Sequence, residues 1–132
     1  RGAAGLPAEV TAGTFARLTS PEGYRGVKMH GLVAERGGEV VGLAHFHLQH
    51  VTFALEPRVY LEDLYVAPAA RRQGVGRALI EAVYAAADAA GCPEVYWKAK
   101  ISNARARSLY DKVAGCNGEV VYQRTLHRPC KE

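Results

Sequence analysis

From Val59 to Val66 the chain reads VYLEDLYV, a run of aromatic and β-branched residues that favours a strand. Ala67-Pro68-Ala69-Ala70 ends it. The string Arg71-Arg72-Gln73-Gly74-Val75-Gly76-Arg77-Ala78 then opens a helical stretch reaching about Ala90. Within that stretch Leu79, Val83, Ala86 and Ala90 repeat at helical spacing and line one face. Gly91 and Pro93 form the expected stop. A strand that feeds a helix through a glycine loop restricts the chain to layered sheet-and-helix folds. It also creates a binding element. The glycines let backbone approach a ligand, the N–H groups of the first helical turn point at it, and the helix dipole favours an anion there. Arg71, Arg72 and Arg77 add positive charge, and arginine can hold phosphate oxygens with two hydrogen bonds. On physical grounds alone the segment is a pyrophosphate cradle.

Two familiar cradles are excluded. A Walker A loop needs Gly, four residues, then Gly-Lys-Ser/Thr, and no such string occurs. A dinucleotide fingerprint needs Gly or Ala where Leu79 stands.

The rest of the chain supplies the sheet. Residues from about Pro7 to Leu18 read as a helix with Val10, Thr14, Phe15 and Leu18 on one face. Gly31–Arg36 is a short strand, Gly37-Gly38 a two-residue hairpin turn, and Glu39–Gln49 the returning strand. After the 59–66 strand and its helix, Val95–Ala99 reads as a strand. Ser102–Val113 reads as a helix capped by Ser102, and Val120–Leu126 as a last strand. No linker or repeat divides the 132 residues, which are expected to form one domain of mixed α/β (α+β) class.

Composition narrows the setting. The formal net charge of +4 suits an anionic ligand, but no basic run is interleaved with aromatics, so nucleic acid is not an expected partner. No apolar run approaches the ~18 residues of a membrane span. Cys92, Cys116 and Cys130 form neither a disulfide framework nor a metal motif, which fits a reduced cytoplasmic setting. Cys92 has no activating neighbour in sequence and reads as an inert thiol. His45 and His47 share a strand face at a spacing that could hold a metal, but no third ligand is evident, so no metal is expected.

The loop does not stand alone. Gln or Arg, two residues, Gly, one residue, then Gly or Ala is the coenzyme A signature of the Gcn5-related N-acetyltransferase (GNAT) superfamily, and residues 71–76 match it. YLEDLYV followed by Ala-Pro and this loop resembles the central motif of that superfamily. Val95-Tyr96-Trp97 with Asn103 and Tyr110 resembles its second motif, in which Asn and Tyr are also seven apart. The resemblance covers about Gly31 to Leu126. YLEDLYV and VYW look most like the branch of spermidine/spermine acetyltransferases and small yeast histone, polyamine and D-amino-acid acetyltransferases.

The resemblance implies a GNAT fold, a central mixed but mostly antiparallel sheet flanked by helices. The superfamily's first strand has no room before the Pro7–Leu18 helix, and the chain begins at Arg1, so an N-terminally incomplete domain is expected. It implies acetyl-CoA as donor and a primary amine as acceptor, by direct transfer. The acceptor it implies would be a cationic small amine or a lysine side chain; a non-catalytic acyl-CoA-binding module is the alternative. The pantetheine arm would pair along Leu64, Tyr65 and Val66. The Leu64 N–H would donate to the thioester oxygen, and the loop from Arg71 through Arg72, Gln73, Gly74, Val75, Gly76, Arg77 and Ala78 would hold the pyrophosphate. Asn103 would contact the cofactor arm. Glu62 matches the general base and Tyr110 the acid that protonates the departing sulfur.

Glu62 and Asp63 are adjacent, so a regular strand turns only one of them into the cleft, and a bulge would change which. His45 and His47, with Glu62 and Asp63, are candidates for touching the acceptor; Tyr24, His30 and Phe46 are further ones. Tyr96 and Trp97 read most simply as core. Relatives in this branch are often dimers, so a homodimer is expected.

Overall fold

The computed structural model describes residues 6–126. In chain order it contains α1 (Ala8–Thr19), β1 (His30–Arg36), β2 (Glu39–Gln49), β3 (Arg58–Val66), a short 3-10 turn at Pro68–Ala70, α2 (Val75–Ala89), β4 (Val95–Tyr96) and α3 (Ala104–Val113). The chain separates into two compact units, one ending at Lys98 and one beginning at Ala99.

The first unit carries a sheet of order β1-β2-β3-β4. The first two pairings are antiparallel and β3–β4 is parallel, so the sheet is mixed. Gly37 and Gly38 take φ of 59° and 82°, the left-handed values that a two-residue hairpin between twisted strands demands. The α2 helix covers one face. Its Val75, Leu79, Ile80, Val83 and Ala87 are buried there with Ala44 and Phe46 of β2 and Val59 and Leu61 of β3. Ile80, Val59 and Val83 are enclosed almost completely, each worth about 1.5–3 kcal/mol of burial. Cys92 is buried just beyond the helix. Phe46 is thus a core residue on the α2 side, stacked on His30 at 5.2 Å, rather than an acceptor contact.

The α1 helix lies on the other face. A Cβ built on Gly31 would meet Leu18 of α1 at 3.4 Å and the His45 ring at 3.5 Å. Of the apolar stripe expected on α1, Leu18 makes this contact, but Phe15 is 66% exposed.

Gly42 fixes how closely α2 approaches. A Cβ there would lie 3.0 Å from the Tyr65 carbonyl oxygen and 3.1 Å from both Leu79 Cδ1 and Val75 Cγ1. The first turns of α2 therefore rest directly on the β2 backbone.

The second unit holds α3, capped by Asn103 rather than Ser102: the Asn103 side-chain oxygen accepts from the Ala106 N–H at 3.3 Å. The expected strand at Val120–Leu126 is not formed. Among the described residues 115–126 hold no helix or strand, and Val120, Val121, Tyr122 and Leu126 are exposed. A strand is stable only with a partner for its backbone groups, and apolar alternation by itself supplies none. The strand expected over Val95–Ala99 is shortened to Val95–Tyr96 for a related reason, since β4 pairs with β3 only at Val59 and Tyr60.

Candidate active site

Two irregularities in β3 build the site. The first is a bulge. His45 pairs with Asp63 and Phe46 with Leu61, so Glu62 is an extra residue with no partner on β2. Leu61 and Leu64 then both lie on the α2 face, where Leu61 and Ala44, the partner of Leu64, are buried. The two residues between them are carried together to the opposite face. Glu62 and Asp63 are both exposed there. A regular strand would have separated these carboxylates; the bulge puts both on the side that carries His45.

The carboxylates are not equivalent. Asp63 Oδ2 lies 3.2 Å from His45 Nδ1. Glu62 has no hydrogen bond or ion pair among the described residues. One is held and the other is available.

The second irregularity is an unpaired edge. The Ala67 N–H donates to the Val41 carbonyl at 2.8 Å. In an antiparallel ladder the groups of alternate residues point to opposite sides, so Leu64 and Val66 turn theirs away from β2. At that edge β4 has already stopped at Tyr96, opposite Tyr60. Leu64 and Val66 therefore face an edge with no strand partner among the described residues. The Val66 carbonyl points that way, since it accepts from Arg71 Nε at 3.2 Å.

This edge leads into the glycine loop. Gly74 has φ of 80° and is the N-cap of α2, which begins at Val75. Nothing lies within 4 Å of a Cβ built on it, so conformation rather than space selects glycine there. Having no side chain, it cannot cap, and the first-turn N–H groups of Val75, Gly76 and Arg77 are left for an outside acceptor. Arg72 also adopts a positive φ, 64°, unfavourable for a residue with a Cβ by about 1–2 kcal/mol. Gln73 bonds back to the Ala69 carbonyl and to the Arg36 guanidinium, and Arg77 pairs with Glu81 at 3.1 Å. Those two side chains are engaged within the protein, whereas the backbone N–H groups at the start of α2 are left open. Ala78 closes the first helical bond, to Gly74.

The face opposite α2 continues past Glu62. His47 meets Tyr60 edge-on at 5.5 Å, and Tyr60 lies 4.8 Å from Tyr96. The Tyr96 hydroxyl donates to Gln49 at 2.8 Å, and Arg58 sits 3.8 Å over the Tyr96 ring while pairing with Glu94. Tyr96 thus belongs to a polar network on the site's own face, not to the core. Its phase was readable in the sequence only with the β3–β4 register in hand. Lys98, which sequence reasoning passed over, places Nζ 5.6 Å from the centre of the Tyr60 ring.

Of the remaining candidates, Asn103 and Tyr110 stand on the second unit, at the N-cap and in the body of α3. Burial pushes the Tyr110 hydroxyl above the ordinary phenol value, so it keeps its proton at neutral pH. Tyr24 forms a small bridge with Val27, on the loop before β1. Among the described residues no three His, Cys, Asp or Glu side chains are grouped to hold a metal, and no helix is long and apolar enough to cross a membrane.

Residues 9–116 match the model of the acetyltransferase (GNAT) family. The chain belongs to that family. It is 45% identical over 122 residues to the D-amino-acid N-acetyltransferase HPA3 of Saccharomyces cerevisiae, an alignment covering 90% of this chain and 73% of the yeast protein. It is 32% identical over 85 residues to the thialysine N-epsilon-acetyltransferase of Caenorhabditis elegans, covering 64% of this chain and 52% of that protein. In three dimensions it superposes on the aminoglycoside acetyltransferase AAC(6')-Iy, solved with a bisubstrate analogue of CoA. The TM-score is 0.76 over 93% of this chain and 83% of that one, at 22% identity, a likeness of fold. Family and relatives together make this GNAT chain an N-acetyltransferase, nearest to the branch that includes the yeast enzyme.

Proposed function

We propose that this GNAT enzyme moves acetyl directly from acetyl-CoA to a small primary amine, with the site on β3 and α2 as its centre. The observation that carries this reading is the open edge of β3 at Leu64 and Val66, which runs into the uncapped N-terminus of α2. An extended amide-bearing arm fits the first as an added strand, and a pyrophosphate fits the second. These elements fit acetyl-CoA, which supplies the acetyl group as a thioester.

The chain's own groups then divide the work. The Leu64 N–H donates to the thioester oxygen as negative charge develops on it, a contribution of about 10²–10³ in rate for one such donor. Glu62 removes a proton from the acceptor's ammonium, directly or through water. That step is needed because only about one alkylamine in two thousand is neutral at pH 7. Its neighbour Asp63, held by His45, adds negative potential that attracts a cation. On the superfamily resemblance alone, Tyr110, a protonated phenol, is the acid for the departing sulfur and Asn103 a contact to the donor's arm. His45 and His47 border the acceptor. The yeast relative is named for D-amino acids, which are primary amines, and the second reading, a lysine side chain, rests on the same carboxylates.

The test is thiol release from acetyl-CoA with spermidine, lysine, a D-amino acid, a histone-tail peptide and kanamycin, against an amine-free control. Release above the control with one class supports the reading and identifies the acceptor. Binding of acetyl-CoA without release for any amine favours the acyl-CoA-binding alternative, and no binding at all refutes the assignment of residues 71–78. A homodimer belongs to the same proposal; a monomeric mass by light scattering refutes it.

A further inference from the structure

Two opposite charges stand unpaired on the face of the first unit away from α2. Glu62 is on the β3 bulge and has no partner among the described residues. Lys98 follows β4, and the Tyr60 ring is its one described contact, at 5.6 Å. Tyr60 pairs with Tyr96 in parallel strands, and Glu62 and Lys98 each come two residues later in their chains, beyond the last β3–β4 pair. The two charges do not close into an ion pair among the described residues. Tyr60 contributes a ring face that holds the ammonium of Lys98, a contact typical of cations within ~6 Å of an aromatic centre.

An exposed carboxylate two residues from Tyr60 and an ammonium against the Tyr60 ring form a receptor for a molecule with the reverse pair. A simple amine or polyamine uses only the Glu62 side and finds Lys98 repulsive. An amine that also carries a carboxylate uses both. We infer that Lys98 is a specificity-determining residue that binds the carboxylate of an amino-acid acceptor while Glu62 meets its ammonium. The inference rests on the proposed site for amine acetylation and adds the group that selects among amines. Asp63 does not compete for the role, because His45 already engages it.

The experiment compares the full chain with its Lys98→Met and Lys98→Arg variants, using acetyl-CoA, methionine of either hand, the corresponding methioninamides, and spermidine. Each acceptor is compared with itself across variants, because amidation also lowers the amine's own pKa. Lys98→Met is expected to raise KM for methionine about tenfold, in line with loss of one charge-assisted hydrogen bond, with kcat unchanged within about twofold. KM for the amide and for spermidine stays the same or falls, and Lys98→Arg recovers most of the affinity for the acid. Lys98 is exposed, so neither variant is expected to alter folding, and matching melting curves check this. Equal effects on acid and amide, no effect on either, or a wild type that acetylates spermidine but not methionine overturns the role of Lys98. A wild type that releases no thiol with any amine overturns the acetyl-transfer reading itself, a distinct result.

Discussion

Gly42→Ala puts the close approach of α2 to the β2 backbone under test. The new methyl would sit 3.0 Å from the Tyr65 carbonyl and 3.1 Å from side-chain carbons of Val75 and Leu79. Ordinary contact begins near 3.5 Å, so about half an ångström must be found. The carbonyl is pinned in the β2–β3 ladder, and Val75 and Leu79 are buried, 8% and 3% exposed, so neither side chain can swing into solvent. The first turn of α2 must lift. Overpacking of this kind costs about 1–3 kcal/mol, which for a chain of this size lowers Tm by roughly 3–10 °C. The same lift moves the N–H groups of residues 75–77, so KM for acetyl-CoA should rise several-fold while KM for the amine is little changed. Scanning calorimetry and initial-rate kinetics read the two effects. Leu79→Ala removes one of the clashing atoms, so the double variant should be less destabilised than the two single changes added together. An unchanged Tm with unchanged KM for acetyl-CoA would refute the claim that Gly42 sets the height of α2 over the sheet.

Glu62→Gln should lower kcat/KM by about 10²–10³ at pH 7, with activity partly recovered at high pH as the amine loses its own proton; Asp63→Asn should cost much less, and the reverse order would exchange their roles. Tyr110→Phe should lower kcat and remove the alkaline fall in rate. Because burial raises the Tyr110 hydroxyl, that fall in the wild type should lie above pH 10, and a limb well below pH 10 would assign it to another group. His30 is held below its ordinary value by burial and then by Lys28, so the unfolded chain takes up its proton first as pH falls. Stability should therefore decline as pH drops below about 6.5, and His30→Asn should flatten that part of a Tm-against-pH curve. Gly74→Ala meets no atom within 4 Å but must hold φ near 80°, so it should cost about 1–2 kcal/mol through conformation alone, measured by urea unfolding.

Much of this was legible in the residues. Local signals are strong where neighbours in sequence are neighbours in space. Gly37-Gly38 specifies a hairpin, VYLEDLYV a strand, and the spacing of Leu79 and Val83 a helix face, because each depends on a few adjacent residues. The glycine loop between a strand and a helix was readable for the same reason. The strand expected at Val120–Leu126 failed because alternation states only what a strand would bury, not whether another strand is there to receive it. The helix cap moved from Ser102 to Asn103 because either side chain could serve and only the backbone path chooses.

The site divides along the same line. The amino-acid order determined which chemical groups are present: two adjacent carboxylates, a following leucine and valine, a glycine loop, and histidines on a neighbouring strand. Tertiary pairing decided what those groups can do. The bulge opposite His45 turns Glu62 and Asp63 to one face, and His45 occupies only one of them. The early end of β4 leaves Leu64 and Val66 without a strand partner on that side, and the β3–β4 pairing sets Lys98 against the Tyr60 ring. A register is a relation between segments some 35 residues apart, set by how whole strands pack beneath α2, and no short stretch of either strand encodes it.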